Sequence, residues 1–173
     1  MRWLFDHHPL SNLSLALGHA AVKGERLYKT VMTEVKFFFN VDSKLGFACR
    51  LAKKAFDEGR KLIVYAPSEP IAAEFDRLLW TFSQLSFVPH VRATHALASE
   101  TPIIIATDDV ALPHHEALLN LGDEPPPFFS RFEHLREIVS MDDDDRLKAR
   151  ERLKFYKSRG FDIQNHDMKV AHA

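Results

Sequence analysis

Arg146, Arg150, Lys154 and Lys157 recur at intervals of three or four residues in the stretch "DDDDRLKARERLKFYKSR". At about 100° per residue they share an arc of about 80° on a helix, with Ala149, Leu153 and Tyr156 forming an apolar strip beside it. Cations bordering an apolar strip can receive an acidic, amphipathic peptide: guanidinium groups give directional, charge-assisted hydrogen bonds to carboxylates, and the strip takes an apolar side chain. A solvated charged face whose apolar strip packs on a sheet has the same pattern, and the wheel does not separate the two.

A second group is aromatic. In "LWTFSQLSFVPH" the helix expected over Ser68 to Phe82 places Ile71, Phe75, Leu78, Leu79 and Phe82 on one side, with Trp80 about 180° from Ile71. Trp80 therefore leaves the core stripe of its own helix. It is either clamped beneath the following loop or exposed as an anchor for a partner protein, with Phe87 as its companion, since aromatic side chains dominate interface hot spots.

Searches for catalytic chemistry return little. No G-x-x-x-x-G-K-[ST] is present, the turn after the first expected strand ("FNVDSKLGFA") lacks phosphate-cradling glycines, and the whole chain holds six glycines. His114-His115-Glu116 has no third ligand at diagnostic spacing and reads as loop or strand-edge histidines. Cys49 falls on the buried stripe of a helix, where a thiol is structural. The run Asp142 to Asp145 is expected to cap a helix at its positive end rather than to chelate a metal. No catalytic, metal or cofactor site is expected.

These residues need elements to hold them. Val35–Val41, Lys61–Ala66, Pro102–Ala106 and Glu116–Leu121 are apolar runs of strand length, near-continuous as in strands covered on both faces. Helices are expected at about Ser43 to Glu58, capped by Asp42 or Ser43 and stopped by Gly59, at Ser68 to Phe82, and at Asp142 to Arg159, closed by Gly160. The expected order β-α-β-α-β-β-α-α implies an α/β, Rossmann-like sandwich with a largely parallel sheet flanked by helices.

Composition limits the function. Hydrophobic residues make up 46% and charged residues 27% of the 173 residues, with a formal net charge of -1, so no global attraction to DNA or anionic lipid is expected. A single cysteine excludes an internal disulfide framework and fits a reducing cytoplasm. The longest apolar runs, such as "TPIIIA", are far shorter than the roughly 20 residues of a membrane span. Residues 1–31 are weakly patterned: "LSLALGHAAV" has the character of a signal-peptide core, but Asp6 and the His7-His8-Pro9 break oppose that reading. They are expected to be a disordered extension or the product of a misassigned start, or else an amphipathic tail with its own partner, ahead of a domain at 32–173.

The stretches "FFFNVDSKL", "GRKLIVYAPSE", "AAEFDRLLWTFSQLSFVPH", "NLGDEPPPFFSRFEHLREIV" and "ARERLKFYKSRGFDI" occur in the order and spacing of one family. From roughly Thr33 to Asp167 the chain resembles the chi subunit of bacterial DNA polymerase III holoenzyme. The resemblance implies a cytoplasmic accessory subunit, not itself an enzyme, of a DNA-directed DNA polymerase (nucleotidyltransferase) holoenzyme. It implies binding to the psi subunit, and through psi to the clamp loader, together with binding to the acidic C-terminal tail of single-stranded DNA-binding protein. DNA is then reached only indirectly, and no membrane is involved. Position by position, Trp80 and Phe87 match aromatics of the psi-facing surface. Arg150 and Lys154 match basic residues of the tail site, and Arg146 a position that is basic in the family. Leu153 stands where well-known members carry a tyrosine, and the segment Ser140–Asp145 is shorter than in those members, so the apolar wall of the tail pocket is built differently.

Two rival readings use the same features. An adaptor for another replication or repair protein, such as a helicase, also explains Trp80 and the basic helix. A nucleotide-dependent enzyme explains the α/β order but needs a phosphate loop that the chain lacks.

Overall fold

The computed structural model describes residues 32–82, 87–108 and 111–169. They belong to a compact unit spanning Met32–Ala173. Residues 1–31, and with them the expected extension, lie outside the described residues.

Among the described residues seven strands form one sheet: β1 Glu34–Val41, β2 Leu62–Tyr65, β3 His90–Arg92, β4 Ile103–Ala106, β5 Ala117–Asn120, β6 His134–Ser140 and β7 Ile163–Asp167, in the order β3-β4-β2-β5-β6-β1-β7. Every neighbouring pair is parallel. Helices α1 Lys44–Asp57, α2 Glu69–Thr81 and α3 Asp143–Ser158 cover it, with a 3-10 turn at Phe129–Arg131. The expected α/β sandwich with a parallel sheet is the observed one.

Alternation along each strand builds two cores. Leu62 and Val64 of β2 meet Cys49 and Ala52 of α1 and Phe75 and Leu79 of α2 on one face. Ile63, between them, turns to the other face with Ile104, Leu118, Phe37 and Tyr156 of α3. Helix ends follow local chemistry. Ser43 caps α1 by accepting from the Gly46 amide at 3.1 Å. Asp142 caps α3, accepting from the amides of Asp144 (2.9 Å) and Asp145 (3.2 Å). Gly59 and Gly160 follow α1 and α3 with φ of 67° and 79°, the left-handed conformation that glycine adopts without steric cost.

The expected order is corrected in its second half. Among the described residues one α-helix follows β5, and "HLREIVS", whose Leu135, Ile138 and Val139 have helical spacing, is strand β6. Its neighbours decide the matter: β1 and β5 offer parallel ladders on both sides, and burial between two cores overrides local periodicity. β3 and β7 were likewise not expected. The first has three residues, and the second, "IQNHD", carries almost no apolar signal because it is an exposed edge.

Candidate partner-binding surfaces

Helix α2 buries Ala72, Phe75 and Leu79 against the sheet and presents Trp80 on its far side, 55% exposed. Phe87 is 61% exposed, and the two rings lie 5.3 Å apart, tilted by 46°. The chain between Phe87 and His90 sorts its side chains: Val88 enters the core, Phe87 stays out, and His90 slides under Trp80 with ring centroids 4.9 Å apart. The His90 side chain is 1% exposed; its Nδ1 is 2.7 Å from the Val88 carbonyl and its Nε2 is 3.5 Å from Asp76 Oδ1. Trp80 thus rests on a fixed histidine while its outer surface remains in solvent. Phe82, expected in the core stripe, is 37% exposed, because α2 ends at Thr81 and the wheel no longer applies.

The basic helix makes a different surface. A hollow of about 270 Å³ lies between α3 and the end of the sheet, walled by Arg146, Arg150 and Leu153 on the helix side and by Phe39, Asn40 and Asn165 on the strand side. The Arg146 Nη2 donates to Asn40 Oδ1 at 3.0 Å, and Asn40 Nδ2 donates to Asp167 Oδ1 at 2.9 Å. The Asn40 side-chain amide, with the Lys169 backbone amide, holds the Asp167 carboxyl below its ordinary pKa. Asn40 has φ of 62° at the point where the β1–β6 register shifts, a left-handed conformation that asparagine tolerates better than most residues. Arg150 is exposed on the rim.

The arc of four cations is therefore divided. Arg146, Arg150 and Leu153 share the hollow, whereas Lys154 bonds Glu151 Oε1 at 2.7 Å and lines a separate depression with Glu124, Phe155 and Arg159. Tyr156 is not beside the arc at all: it is fully buried, donating to Glu137 Oε1 at 2.7 Å. Burial, with the Glu137 charge, pushes its phenol pKa upward. Asn40, Phe39 and Asn165 were missed by sequence reasoning because their places depend on the β1–β7 pairing; the glycine-like position of Asn40 in "FFFNVD" was the available signal.

The Asp142–Asp145 run caps, as expected. Asp145 accepts from Ser140 N and Oγ (2.8 and 2.9 Å) and from Lys44 Nζ (2.9 Å), and despite burial these bonds hold its carboxyl below the usual carboxylate range. Cys49 is fully buried, and burial pushes its thiol up to about 11, so the thiolate that a nucleophile needs is suppressed. His114 is 9% exposed with neither ring nitrogen hydrogen-bonded; burial, reinforced by Lys61, lowers its pKa to about 4. Among the described residues no three His, Cys, Asp or Glu side chains come together as a metal site, and no helix is long and apolar enough to cross a membrane.

Comparison with known proteins places the chain in a family. Residues 32–164 match the profile of the family described as DNA polymerase III chi subunit, HolC. A DNA polymerase III subunit chi from Pseudomonas aeruginosa is 31% identical over 139 residues, covering 78% of this chain and 96% of that protein. Those of Haemophilus influenzae and Escherichia coli are 32% and 27% identical, covering 70% and 66% of this chain and 85% and 79% of the respective relatives. The chain belongs to the DNA polymerase III chi subunit family.

Proposed function

We propose that this chi-family subunit is a non-catalytic bridge in the replication holoenzyme, joining psi, and through it the clamp loader, to the acidic C-terminal tail of single-stranded DNA-binding protein. One observation carries the reading: two chemically different surfaces occupy opposite faces and opposite edges of one sheet. The Trp80–Phe87 pair stands on α2 beside β3, and the hollow rimmed by Arg146 and Arg150 lies under α3 beside β7. An exposed aromatic pair suits an apolar groove or helix of psi. The hollow suits a short peptide with carboxylates and an apolar end: the arginines bind the carboxylates, and Leu153 and Phe39 enclose the apolar side chain. Each contact is modest, and several tails on an oligomeric tail donor raise the effective concentration. The partner surface on α2 also suits another replication or repair protein, which would compete with psi.

The test is titration calorimetry of the full chain with purified psi and, separately, with a peptide of the single-stranded DNA-binding protein tail. Both bind, and neither excludes the other. Absence of tail binding, or displacement of the tail by psi, overturns the bridge.

A further inference from the structure

At the amino-terminal end of the strands, on the face covered by α1 and α2, the sheet opens into a cavity of about 220 Å³. Phe38, Leu51, Ala55, Leu62 and Leu119 form its apolar part. Its polar part is mostly cationic: Lys36 from β1, Lys54 from α1, Arg60 from the loop before β2, and His134 and Arg136 from β6, with Glu58 the one carboxylate in the lining.

The charges in this cavity are not balanced. Lys36 and Arg136 are register partners across β1 and β6, a like-charge pairing that costs stability unless something offsets it. One carboxylate, Glu34, serves that pair and a histidine, at 3.3 Å from Lys36, 3.6 Å from Arg136 and 3.1 Å from His134. A second, Glu58, serves Arg60 at 3.4 Å and Lys54 at 3.8 Å. Four permanent cations thus face two carboxylates. The partial negative charge at the carboxyl end of α1 offsets only part of the excess. The Arg136 side chain is 19% exposed, and its buried Nη1 has the Glu34 ion pair but no well-formed hydrogen bond; the buried His134 Nδ1 likewise meets Glu34 without one. Burial holds the Arg136 pKa below its ordinary value, with Glu34 opposing, as expected of an incompletely compensated cation.

We propose that this cavity binds a small ligand bearing a phosphate group on an apolar or aromatic body. A phosphate monoester carries about two negative charges at neutral pH, which matches the excess of two cations, and it offers several acceptor oxygens to the ammonium and guanidinium groups of Lys36, Lys54, Arg60 and Arg136 that line the cavity. The apolar wall takes the body of the ligand. A ligand here touches neither the Trp80 pair nor the α3 hollow, so this site stands independently of the proposed bridge.

Phenyl phosphate and inorganic phosphate are titrated into the full chain and followed by amide NMR shifts. Expected are saturable shifts at Ala117, Leu119 and His134, tighter binding of phenyl phosphate than of inorganic phosphate, and about tenfold weaker binding in Arg136→Gln, the loss of one charge-assisted contact. Arg60→Gln, in an exposed loop, weakens binding less and serves as the folded control if Arg136→Gln alters the fold. Benzoate is the carboxylate arm and binds more weakly than phenyl phosphate. Non-saturable shifts, equal binding in both variants and wild type, or preference for benzoate overturns the proposal. Tail-peptide affinity stays unchanged in both variants, which separates failure of this site from failure of the bridge.

Discussion

The Nε of Arg152 on α3 lies 2.9 Å from the Glu137 Oε2 on β6, with both side chains at or below 1% exposure. Around the pair, Tyr156 and Asn120 donate to Glu137 Oε1 at 2.7 and 3.0 Å, and Arg152 Nη1 donates to the Asp123 carbonyl at 2.9 Å. This ion pair therefore fixes the rotation and height of α3 over the sheet, and with them the positions of Arg146 and Arg150. Replacing Arg152 by Met leaves the Glu137 charge buried without its cation and costs about 3 to 5 kcal/mol. Urea unfolding measures it; the double change with Glu137→Leu recovers part of the loss. A cost under about 1 kcal/mol means that the network is not what holds α3.

Trp80→Ala leaves the domain folded, because the buried side of α2 is Ala72, Phe75 and Leu79. It weakens psi binding by about 2 kcal/mol or more, as expected of a hot-spot aromatic. Calorimetry against psi, with circular dichroism as the control for folding, checks both halves. A variant that unfolds would make Trp80 a structural lid over His90 instead.

On α3, Arg150→Ala and Arg146→Ala each weaken tail-peptide binding, and together they nearly abolish it. Lys154→Ala has a smaller effect, since its ammonium is engaged by Glu151 outside the hollow. Leu153→Asp places a carboxylate in the apolar wall and repels the tail. Binding falls with salt, because exposed charges are screened over about 8 to 10 Å. Equal losses for Lys154→Ala and Arg150→Ala would move the site toward the outer face of α3.

His114 makes stability depend on pH. Its pKa is about 4 in the folded chain against 6.5 for a free imidazole, so the unfolded chain binds the extra proton between those values. Stability is full above pH 6.5 and falls as pH drops toward 4, with about 2 kcal/mol lost near pH 5. Thermal melts at the two pH values, compared with His114→Gln, isolate the effect; the variant shows a shallower decline. An identical pH profile in the variant assigns the decline to other groups.

A chain starting at Met32 retains the whole sheet and both cores. Its melting temperature lies within about 5 °C of the full chain, roughly 1 kcal/mol for a domain of this size. A larger drop means that residues 1–31 stabilise the domain.

Local rules were legible where the chain itself supplies the partner. Ser43 and Asp142 cap from one residue before their helices, Gly59 and Gly160 take the conformation that ends them, and Trp80 leaves its stripe by angle alone. What depended on distant neighbours was not. β6 has helical spacing and becomes a strand because two ladders wait for it; β7 has no strand pattern and is carried by pairing with β1. The wheel ordered the cations of α3 correctly on a cylinder but could not say where the sheet edge passes beneath. Only the sheet edge separates Arg150 from Lys154 and draws Asn40 into the hollow. The Glu137–Arg152 pair was invisible for the same reason: in sequence both look like surface charges.

The placement of the aromatic pair and the arginine hollow on opposite layers of the sandwich has a stoichiometric consequence. Two ligands separated by a packed sheet do not clash, and without a hinge between them neither has an obvious way to strengthen the other. Under the proposed bridging role, assembly through such a connector follows mass action alone. Three-component complexes rise to a maximum as connector is added and then decline, because surplus copies occupy each partner separately. For a subunit built this way, the cellular ratio of connector to partners, rather than the affinity of either surface, sets how many bridges exist.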